Sequence, residues 1–161
     1  MNSALDVARF IVNYCNEHNY LISNLKLQKL LYFVQAYFLA CTESQNPCFE
    51  DPIEAWDYGP VVPSVYHEFK QYGSSCIPAI RYYYEFGTED SLWSLQKREY
   101  SPDVLSEEDR NSISLVIDEF GHYSAYQLVE LTHHQAPWKD AYIPRSKCRI
   151  EIESIRRYFQ I

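Results

Sequence analysis

The sequence predicts a mainly α-helical fold: a compact bundle of about five to six helices around a central helix, with a short β-hairpin or other small β element. Three observations lead to this fold class. The stretch Leu25 to Cys41 is apolar around almost its whole helical circumference. Shorter amphipathic segments with capping residues lie on both sides of it, and strand-like alternation is restricted to short segments.

The first helix is predicted to begin after Ser3, which together with Asp6 resembles a capping box, with Asp in place of the usual Glu or Gln. The polar stretch Asn16 to Asn19 is expected to end it. Between these limits the apolar residues recur at helical spacing and form one face, consisting of Leu5, Ala8, Ile11, Val12 and Cys15.

The central helix follows, with Ser23 or Asn24 placed to cap its N-terminus. A surface helix keeps roughly half of its circumference polar, so we expect this nearly apolar helix to be packed on several sides. At about 100° per residue, its apolar stripe consists of Leu27, Leu30, Leu31, Val34, Tyr37, Phe38 and Cys41. The remaining polar side chains form a narrow seam, the polar seam, of Lys26, Gln28, Lys29 and Gln35.

A structured connection is predicted from Phe49 to Pro63. Ile53 to Asp57 suits one short strand, but the prolines and the glycine around it interrupt the segment too often for a longer one. Pro63 suits the first turn of a third helix, which Gly73 is expected to end.

Residues 74–105 differ in character from the rest of the chain. Tyr82, Tyr84 and Phe86 alternate with other side chains, which predicts a strand. The segment 87–90 is predicted to turn the chain, and Leu92 to Leu95 to return as a second strand. Because a two-stranded hairpin is marginally stable in water, we expect this one to lean on the helices or on a partner.

Three further helices are predicted in the last third of the chain. Ser106 precedes three acidic residues that suit a first turn, and this helix is expected to stop at Gly121. Ser124 and Gln127 form a capping box for the next helix, which should end near His133. A loop containing Pro137 and Trp138 then leads to a last helix with one apolar face, formed by Ile152, Ile155 and Phe159.

Length and composition indicate one domain spanning residues 1–161, because a chain of this length buries roughly two thirds of its unfolded surface. The 15 tyrosines suit both core edges and binding surfaces. A net charge of -8 argues against nucleic acid as a direct ligand and suits a basic partner. We interpret the basic residues near the C-terminus as a solvated helix end, with a phosphate-binding patch as the alternative; they are Arg145, Lys147, Arg149, Arg156 and Arg157.

Cysteine usage and hydropathy indicate a cytoplasmic protein. Five cysteines without paired spacing fit free thiols in a reducing compartment. Charged residues interrupt any signal-like run near the N-terminus, and no stretch approaches the ~20 apolar residues of a membrane span. No membrane association is expected.

We identify no motif for catalysis, for a cofactor or for a metal. His67 and Glu68 begin like the zinc-binding helix H-E-x-x-H, but Gln71 occupies the position of the second His. His133 and His134 are adjacent and diverge by about 100° on a helix, so they do not suit one metal ion. We therefore predict a protein that is not an enzyme and has no catalytic residues, cofactor or metal. The alternative is a hydrolase or metal enzyme that uses Cys or His residues.

Three blocks of residues together resemble the Panacea domain family, which is also described as SocA-like and includes phage-associated GepA-type proteins. The blocks are Leu25 to Gln35, Trp56 to Lys70 and Leu131 to Trp138, and they occur in the family's order. The middle block contains the long and specific string W-x-Y-G-P-V-x-P-x-x-Y-x-x-F-K. Residues 74–105 contain no matching block, so we predict that they form a variable insert within the domain.

The resemblance implies a mainly helical antitoxin of a bacterial or prophage toxin–antitoxin pair. Members of the family neutralise unrelated toxins by direct protein contact, and at least one is an adaptor that delivers its toxin to a protease. For this chain the resemblance implies a cognate protein toxin, encoded by an adjacent gene, as the partner. Delivery of that toxin to a protease is the alternative mechanism.

The candidate partner-binding or structural residues all come from the three blocks: Lys26, Gln28, Lys29, Gln35, Trp56, Asp57, Tyr58, Gly59, Pro60, Tyr66, His133 and Trp138. We interpret Trp56 and Trp138 as core anchors, with partner contacts as the alternative. Gly59 and Pro60 are expected to fix a turn. His133 is expected to cap its helix or to hold the Trp138 loop, with a toxin contact as the third role.

The polar seam of the central helix is expected to bond to the connection between Trp56 and Pro63. Lys26 and Lys29 lie in the first turn of the helix, where the helix dipole disfavours cations, so we expect a partner or a nearby carboxylate; Asp57 is a candidate for the carboxylate. If the seam were exposed and unpaired instead, it would be the first surface to consider for toxin binding.

Overall fold

The computed structural model describes residues 1–86 and 94–160. Within them lie seven α-helices: α1 (Ala4–Glu17), α2 (Asn24–Cys41), α3 (Pro63–Phe69), α4 (Glu107–Phe120), α5 (Ala125–His133), α6 (Ala136–Ala141) and α7 (Ile152–Phe159). The strands of the same residues are β1 (Ile53–Trp56), β2 (Gly59–Val61), β3 (Tyr82–Phe86), β4 (Leu95–Glu99) and β5 (Cys148–Ile150). The predicted fold class, mainly helical with a small β part, is confirmed.

Helix α2 lies at the centre of the hydrophobic core. Helices α1, α4, α5 and α7 and strand β2 all contact it, and its buried residues run from Asn24 to Leu39 on every side. The prediction that this helix is packed on several sides is confirmed. Two members of its predicted stripe are exceptions, because Tyr37 is half-buried and Cys41 is exposed where they line an open groove between α2, α4 and α7.

Serine side chains cap four of the helices, and three of these caps are ones that the sequence predicts. Ser3 Oγ accepts a hydrogen bond from the backbone N–H of Asp6 at the start of α1, and Ser106 Oγ does the same for Asp109 at the start of α4. Ser23, rather than Asn24, is the N-cap of α2. Ser124 caps α5 in a complete capping box with Gln127.

A three-stranded antiparallel sheet replaces the single short strand that the sequence predicts. Strand β1 is central, between β2 and β5. Trp56 pairs with Gly59, so Asp57 and Tyr58 form a two-residue turn, and Ile53 pairs with Ile150. Strand β2 is not predicted from the sequence because it contains Pro60, which lacks a backbone N–H. The strand tolerates this proline because it lies at the edge of the sheet.

The predicted hairpin of residues 74–105 exists, but its second strand lies later than expected. Tyr82 pairs with Glu99 and Phe86 with Leu95, so the strand is Leu95–Glu99 rather than 92–95. Every residue of β4 is exposed, which removes the apolar alternation that marks a strand in sequence. The predicted turn at 87–90 and the residue Leu92 lie outside the described residues.

The segment around Pro137 and Trp138 is a helix, α6, and not the predicted loop. Pro137 lies in the first turn of α6, where its fixed φ and missing N–H are tolerated. Helix α7 has the expected apolar face, with Ile155 fully buried.

Candidate functional site

The polar seam of α2 is buried and fully paired. Lys26 is 5% exposed, Lys29 is 0% exposed, and Gln28 and Gln35 are each 1% exposed. Each of the four bonds to the main chain of another part of the protein. The seam is therefore a support for neighbouring segments and not a surface open to a partner.

The two glutamines hold the segment between α2 and α3 at both ends. Gln35 accepts from the Cys48 N–H at 2.8 Å and donates to the Phe49 carbonyl at 2.9 Å. Gln28 accepts from the Val62 N–H at 2.9 Å. Because buried main-chain groups must be paired, these side chains fix the path of the β1–β2 hairpin over the helix.

The lysines bond to backbone carbonyls, so the expectation of a carboxylate partner is wrong. Lys29 Nζ donates to the Pro60 carbonyl at 2.8 Å, and Lys26 Nζ donates to the Gly121 carbonyl at 2.5 Å. Burial lowers the pKa of Lys29 to about 7 and also lowers the pKa of Lys26. Full desolvation of Lys29 stabilises the neutral amine, which needs no opposite charge.

Asp57, the candidate partner for these lysines, bonds instead to α6. Its carboxylate accepts from the Tyr142 hydroxyl at 2.5 Å, and this hydrogen bond raises the pKa of Tyr142. Next to it, Trp138 Nε1 donates to the Trp56 carbonyl at 2.8 Å. Two aromatic side chains thus hold α6 against the turn of the β1–β2 hairpin.

Gly59 marks the point where the hairpin lies closest to the helices. Its φ is +103°, and a Cβ added there would lie 2.7 Å from Thr132 Oγ1 and 2.8 Å from Lys29 Cε. Neither the backbone conformation nor the space allows a side chain. The turn expected at Gly59 and Pro60 is in fact the start of β2, with the turn itself at Asp57 and Tyr58.

His133, Trp138 and Tyr142 form a stack of rings beside the hairpin. The centroids of His133 and Trp138 are 4.0 Å apart, and those of Trp138 and Tyr142 are 4.5 Å apart, with the ring planes inclined by 20° and 19°. His133 thus packs on Trp138. Its Nε2 is buried and has no hydrogen-bond partner among residues 1–86 and 94–160, and burial lowers its pKa.

The middle sequence block, Trp56 to Lys70, contributes side chains to an open groove of about 490 Å³. We refer to it as the signature groove. It is lined by Asn24, Leu25, Gln28, Trp56, Asp57, Tyr58, Val61, Tyr66, Lys70, Gly73, Ser74, Arg145, Ser146 and Lys147.

Aromatic rings and a lysine shape the middle of the signature groove. The rings of Trp56 and Tyr66 meet edge to face with centroids 4.9 Å apart. Lys147 Nζ lies 4.4 Å from the centroid of the Trp56 ring, at the distance of a cation–π contact. Tyr58, at the tip of the β1–β2 hairpin, is 62% exposed.

The structure brings some of the candidate residues together and separates others. Trp56, Asp57, Tyr58 and Tyr66 share the signature groove, whereas Lys26 and Gln35 support other segments. Neither tryptophan is fully buried, since Trp56 and Trp138 are both half-buried at the hairpin.

Sequence reasoning missed Lys70 and Tyr142 and misplaced part of the basic cluster. Arg145 and Lys147 lie in the loop between α6 and β5 and not at a helix end. Only Arg156 and Arg157 lie in the last turn of a helix, as expected. The neighbouring Pro144 and Ser146 were the available signal for a loop.

The described residues contain neither a group of side chains suited to a metal ion nor a membrane-spanning helix. No group of three or more His, Cys, Asp or Glu side chains that could hold a metal ion occurs in residues 1–86 and 94–160. No helix in that part of the chain is long and apolar enough to cross a membrane.

Comparison with known proteins identifies the family. The model of the family "Antitoxin SocA-like, Panacea domain" matches residues 27–139. Antitoxin SocA of Caulobacter vibrioides (strain NA1000 / CB15N) is 36% identical over 120 residues, which are 73% of this chain and 58% of that relative. The chain thus matches less than two thirds of the relative's length, and no solved structure matches it. The family match covers most of the chain and includes all three sequence blocks in whole or in part, so this protein belongs to the Antitoxin SocA-like, Panacea domain family.

Proposed function

We propose that this protein is an antitoxin that neutralises a protein toxin by direct binding, and that the signature groove forms part of the contact surface. One observation carries the proposal. Three aromatic side chains of the family's middle block that are at least partly exposed, Trp56, Tyr58 and Tyr66, line one open groove. The resemblance of the chain to an antitoxin supports the kind of partner.

The chemistry of the groove suits protein recognition. Tyrosine and tryptophan are enriched among the residues that contribute most to protein–protein affinity. The hairpin that carries Trp56 and Tyr58 is fixed from below by Gln28 and Lys29 and from the side by Trp138. A surface that is ordered before binding loses little conformational entropy in the complex, which favours affinity.

The proposed partner is a toxin encoded by an adjacent gene and encountered in the cytoplasm. Neutralisation occurs by covering the toxin and not by a chemical reaction. The net charge of -8 favours approach to a toxin surface that is basic overall.

Co-expression with the product of the adjacent gene tests this function. We expect the wild-type chain to restore growth and a Tyr58→Ala, Tyr66→Ala variant to lose most of the rescue. Tyr126→Ala is the matched control, because Tyr126 is 74% exposed on α5 and does not line the signature groove. This control should rescue like the wild type.

The proposal fails if the adjacent product is not toxic alone, or if it is equally toxic with the wild-type chain present. Toxin abundance, measured by immunoblot, separates binding from delivery to a protease, because only delivery lowers it. Titration of purified toxin with purified antitoxin separates binding from catalysis. Direct binding requires at least equimolar antitoxin, whereas an enzyme would inactivate the toxin at a small fraction of that amount.

A further inference from the structure

We propose that the signature groove receives an acidic segment of the partner protein. A carboxylate of that segment is bonded by Arg145 and Lys147, and a neighbouring apolar side chain packs against Trp56 and Tyr66. This inference rests on the proposed function for the nature of the partner, and it adds the chemistry of the segment that is recognised.

The groove is basic although the protein is acidic. Its lining includes three cations, Lys70, Arg145 and Lys147, and a single carboxylate, Asp57. The whole chain, by contrast, has a net charge of -8. The Asp57 carboxylate accepts the Tyr142 hydroxyl and forms no ion pair in the described part of the chain, so three cations and one carboxylate leave an excess of two positive charges in the lining.

The three cations have no ion-pair partner in the described part of the chain. The ion pairs recorded there involve Arg9, Arg98, Arg110 and Arg156. Lys70, Arg145 and Lys147 are all exposed, and among their side chains only that of Lys147 makes a contact in the described part of the chain, with the face of Trp56. Their hydrogen-bond donors are therefore available to an anionic group from outside.

The start of α2 adds to the positive potential. Asn24 and Leu25, the first residues of this 18-residue helix, line the groove, and its first turn contains no acidic residue. The partial positive charge of a helix N-terminus is therefore uncompensated by an acid at this point.

The apolar part of the lining favours a peptide segment over a free anion. Leu25, Val61, Trp56 and Tyr66 offer apolar surface directly beside the cations. A segment that combines a carboxylate with an apolar side chain matches both parts at once. The excess of two positive charges in the lining also matches one or two carboxylates better than a nucleoside triphosphate, which carries about four negative charges.

The two sides of the groove differ in their relation to the family. Trp56, Tyr66 and Lys70 lie within residues 27–139, which the family model matches, whereas Arg145 and Lys147 lie beyond them. The aromatic side chains and Lys70 belong to the shared part of the fold, and the other two cations belong to a loop outside the matched residues. This division suits a docking groove that is common to the family, in which the loop outside the matched residues supplies charges that fit a particular partner.

A peptide-binding measurement tests the inference with the full chain. The probe is a short fluorescein-labelled peptide that alternates Glu and Leu, and the comparison peptides carry Gln or Lys in place of Glu. We expect the Glu peptide to bind about tenfold more tightly than the Gln peptide, and the Lys peptide not to bind. Raising the salt from about 50 to about 300 mM should weaken the Glu peptide most, because exposed charges are screened.

Charge-reversal variants locate the binding. Arg145→Glu combined with Lys147→Glu should weaken the Glu peptide by about tenfold or more. Lys139→Glu combined with Arg157→Glu is the matched control, since both residues are exposed cations outside the groove and the net charge changes equally. Equal binding of the Glu and Gln peptides, equal losses in the two double variants, or displacement of the peptide by ATP at lower concentration than by unlabelled peptide would each overturn the inference.

Toxin rescue by the same variants separates this inference from the proposed function. If the Glu peptide binds in the groove but the wild-type chain does not neutralise the toxin, the proposed function fails and the binding chemistry stands. If the Arg145→Glu, Lys147→Glu variant still neutralises the toxin fully, the inference fails and the proposed function stands.

Discussion

The two β-hairpins of this protein, β1–β2 and β3–β4, differ in how they are held. Strands β1 and β2 are short, yet buried side chains of α2 bond to them, and a third strand pairs with β1. Strands β3 and β4 have a longer ladder, but Tyr84 is 58% and Phe86 is 69% exposed. Tertiary contacts, and not the length of the ladder, therefore determine how firmly a hairpin is fixed.

The β3–β4 hairpin is attached to the helices mainly near the start of β3. Asn13 exchanges two hydrogen bonds with the backbone of Ile80, at 2.9 and 2.6 Å. The Arg9 guanidinium lies 3.6 Å from the centroid of the Tyr83 ring. The expectation that this hairpin leans on the helices is thus correct for its base, while the face with Tyr84 and Phe86 remains open.

The largest difference between the hairpins should appear when Gly59→Ala is introduced into β2. The positive φ and the close approach of Thr132 and Lys29 should together lower the free energy of unfolding by about 3 kcal/mol or more. Gly73→Ala is the control, because Gly73 also has a positive φ, +56°, but has nothing within 4 Å of an added Cβ. It should cost about 1 kcal/mol in the same urea titration. Equal losses would show that close packing at Gly59 does not matter.

Removing a buried polar support should come next in size. Gln28→Leu leaves the Val62 N–H without its partner and should lower the free energy of unfolding by about 2 kcal/mol. Gln96→Leu, on the exposed strand β4, should change it by less than about 0.5 kcal/mol. Thermal or urea unfolding measures the change in stability of both variants. If Gln28→Leu were as stable as Gln96→Leu, the supporting role of the polar seam would be contradicted.

The buried amine of Lys29 should make stability depend on pH. Its pKa is about 7 in the folded protein and near 10.5 when unfolded, so the unfolded chain binds more protons between these values. Stability therefore rises with pH, by about 1.5 kcal/mol between pH 7 and about 8.5. Lys26 contributes in the same direction, because its pKa is also lowered.

The matching variant is Lys29→Met, in which most of this rise should disappear. Urea titrations at both pH values measure the effect. The pH interval ends at about 8.5 because of the buried thiols of Cys15 and Cys48, whose pKa burial raises from 9.0 to about 12. At higher pH these thiols lose their protons in the unfolded chain before they do so in the folded protein, and stability then falls with pH. A wild-type protein with no rise would show that Lys29 is solvated in the folded state.

The smallest effects are expected within the β3–β4 hairpin itself. Tyr83→Ala removes the ring that faces Arg9 and should cost about 1 kcal/mol. Tyr84→Ala, one residue later on the opposite and open face, should cost less than about 0.5 kcal/mol. Equal and large losses in thermal unfolding would show that the open face packs on the protein as well.

The local elements of the fold were predictable because their signals are local. Ser3 and Ser124 each precede a helix with a suitable residue three positions later, and these two caps form as expected. The burial of α2 followed from its composition alone.

Pairings over long distances in the sequence were not predictable. Strand β5 has three residues and no alternation that distinguishes it from a loop, and it exists because β1 offers an edge to pair with. The lysine partners were missed because they are backbone carbonyls, which every residue possesses and no sequence pattern marks. The signature groove was missed as a unit because its two sides come from segments about 80 residues apart.

The pairing of β1 with β5 has a consequence for the synthesis of the protein. It joins Ile53 to Ile150 and places the loop with Lys147 beside Trp56. At about 5–20 residues per second, a ribosome releases the second partner of this pairing roughly 5–20 s after the first. Until then the nascent chain has the aromatic side of the groove and Lys70 without Arg145 and Lys147. A chain that is interrupted before Cys148 lacks the strand that holds this loop beside Trp56, so translation itself sets the moment at which the groove is complete.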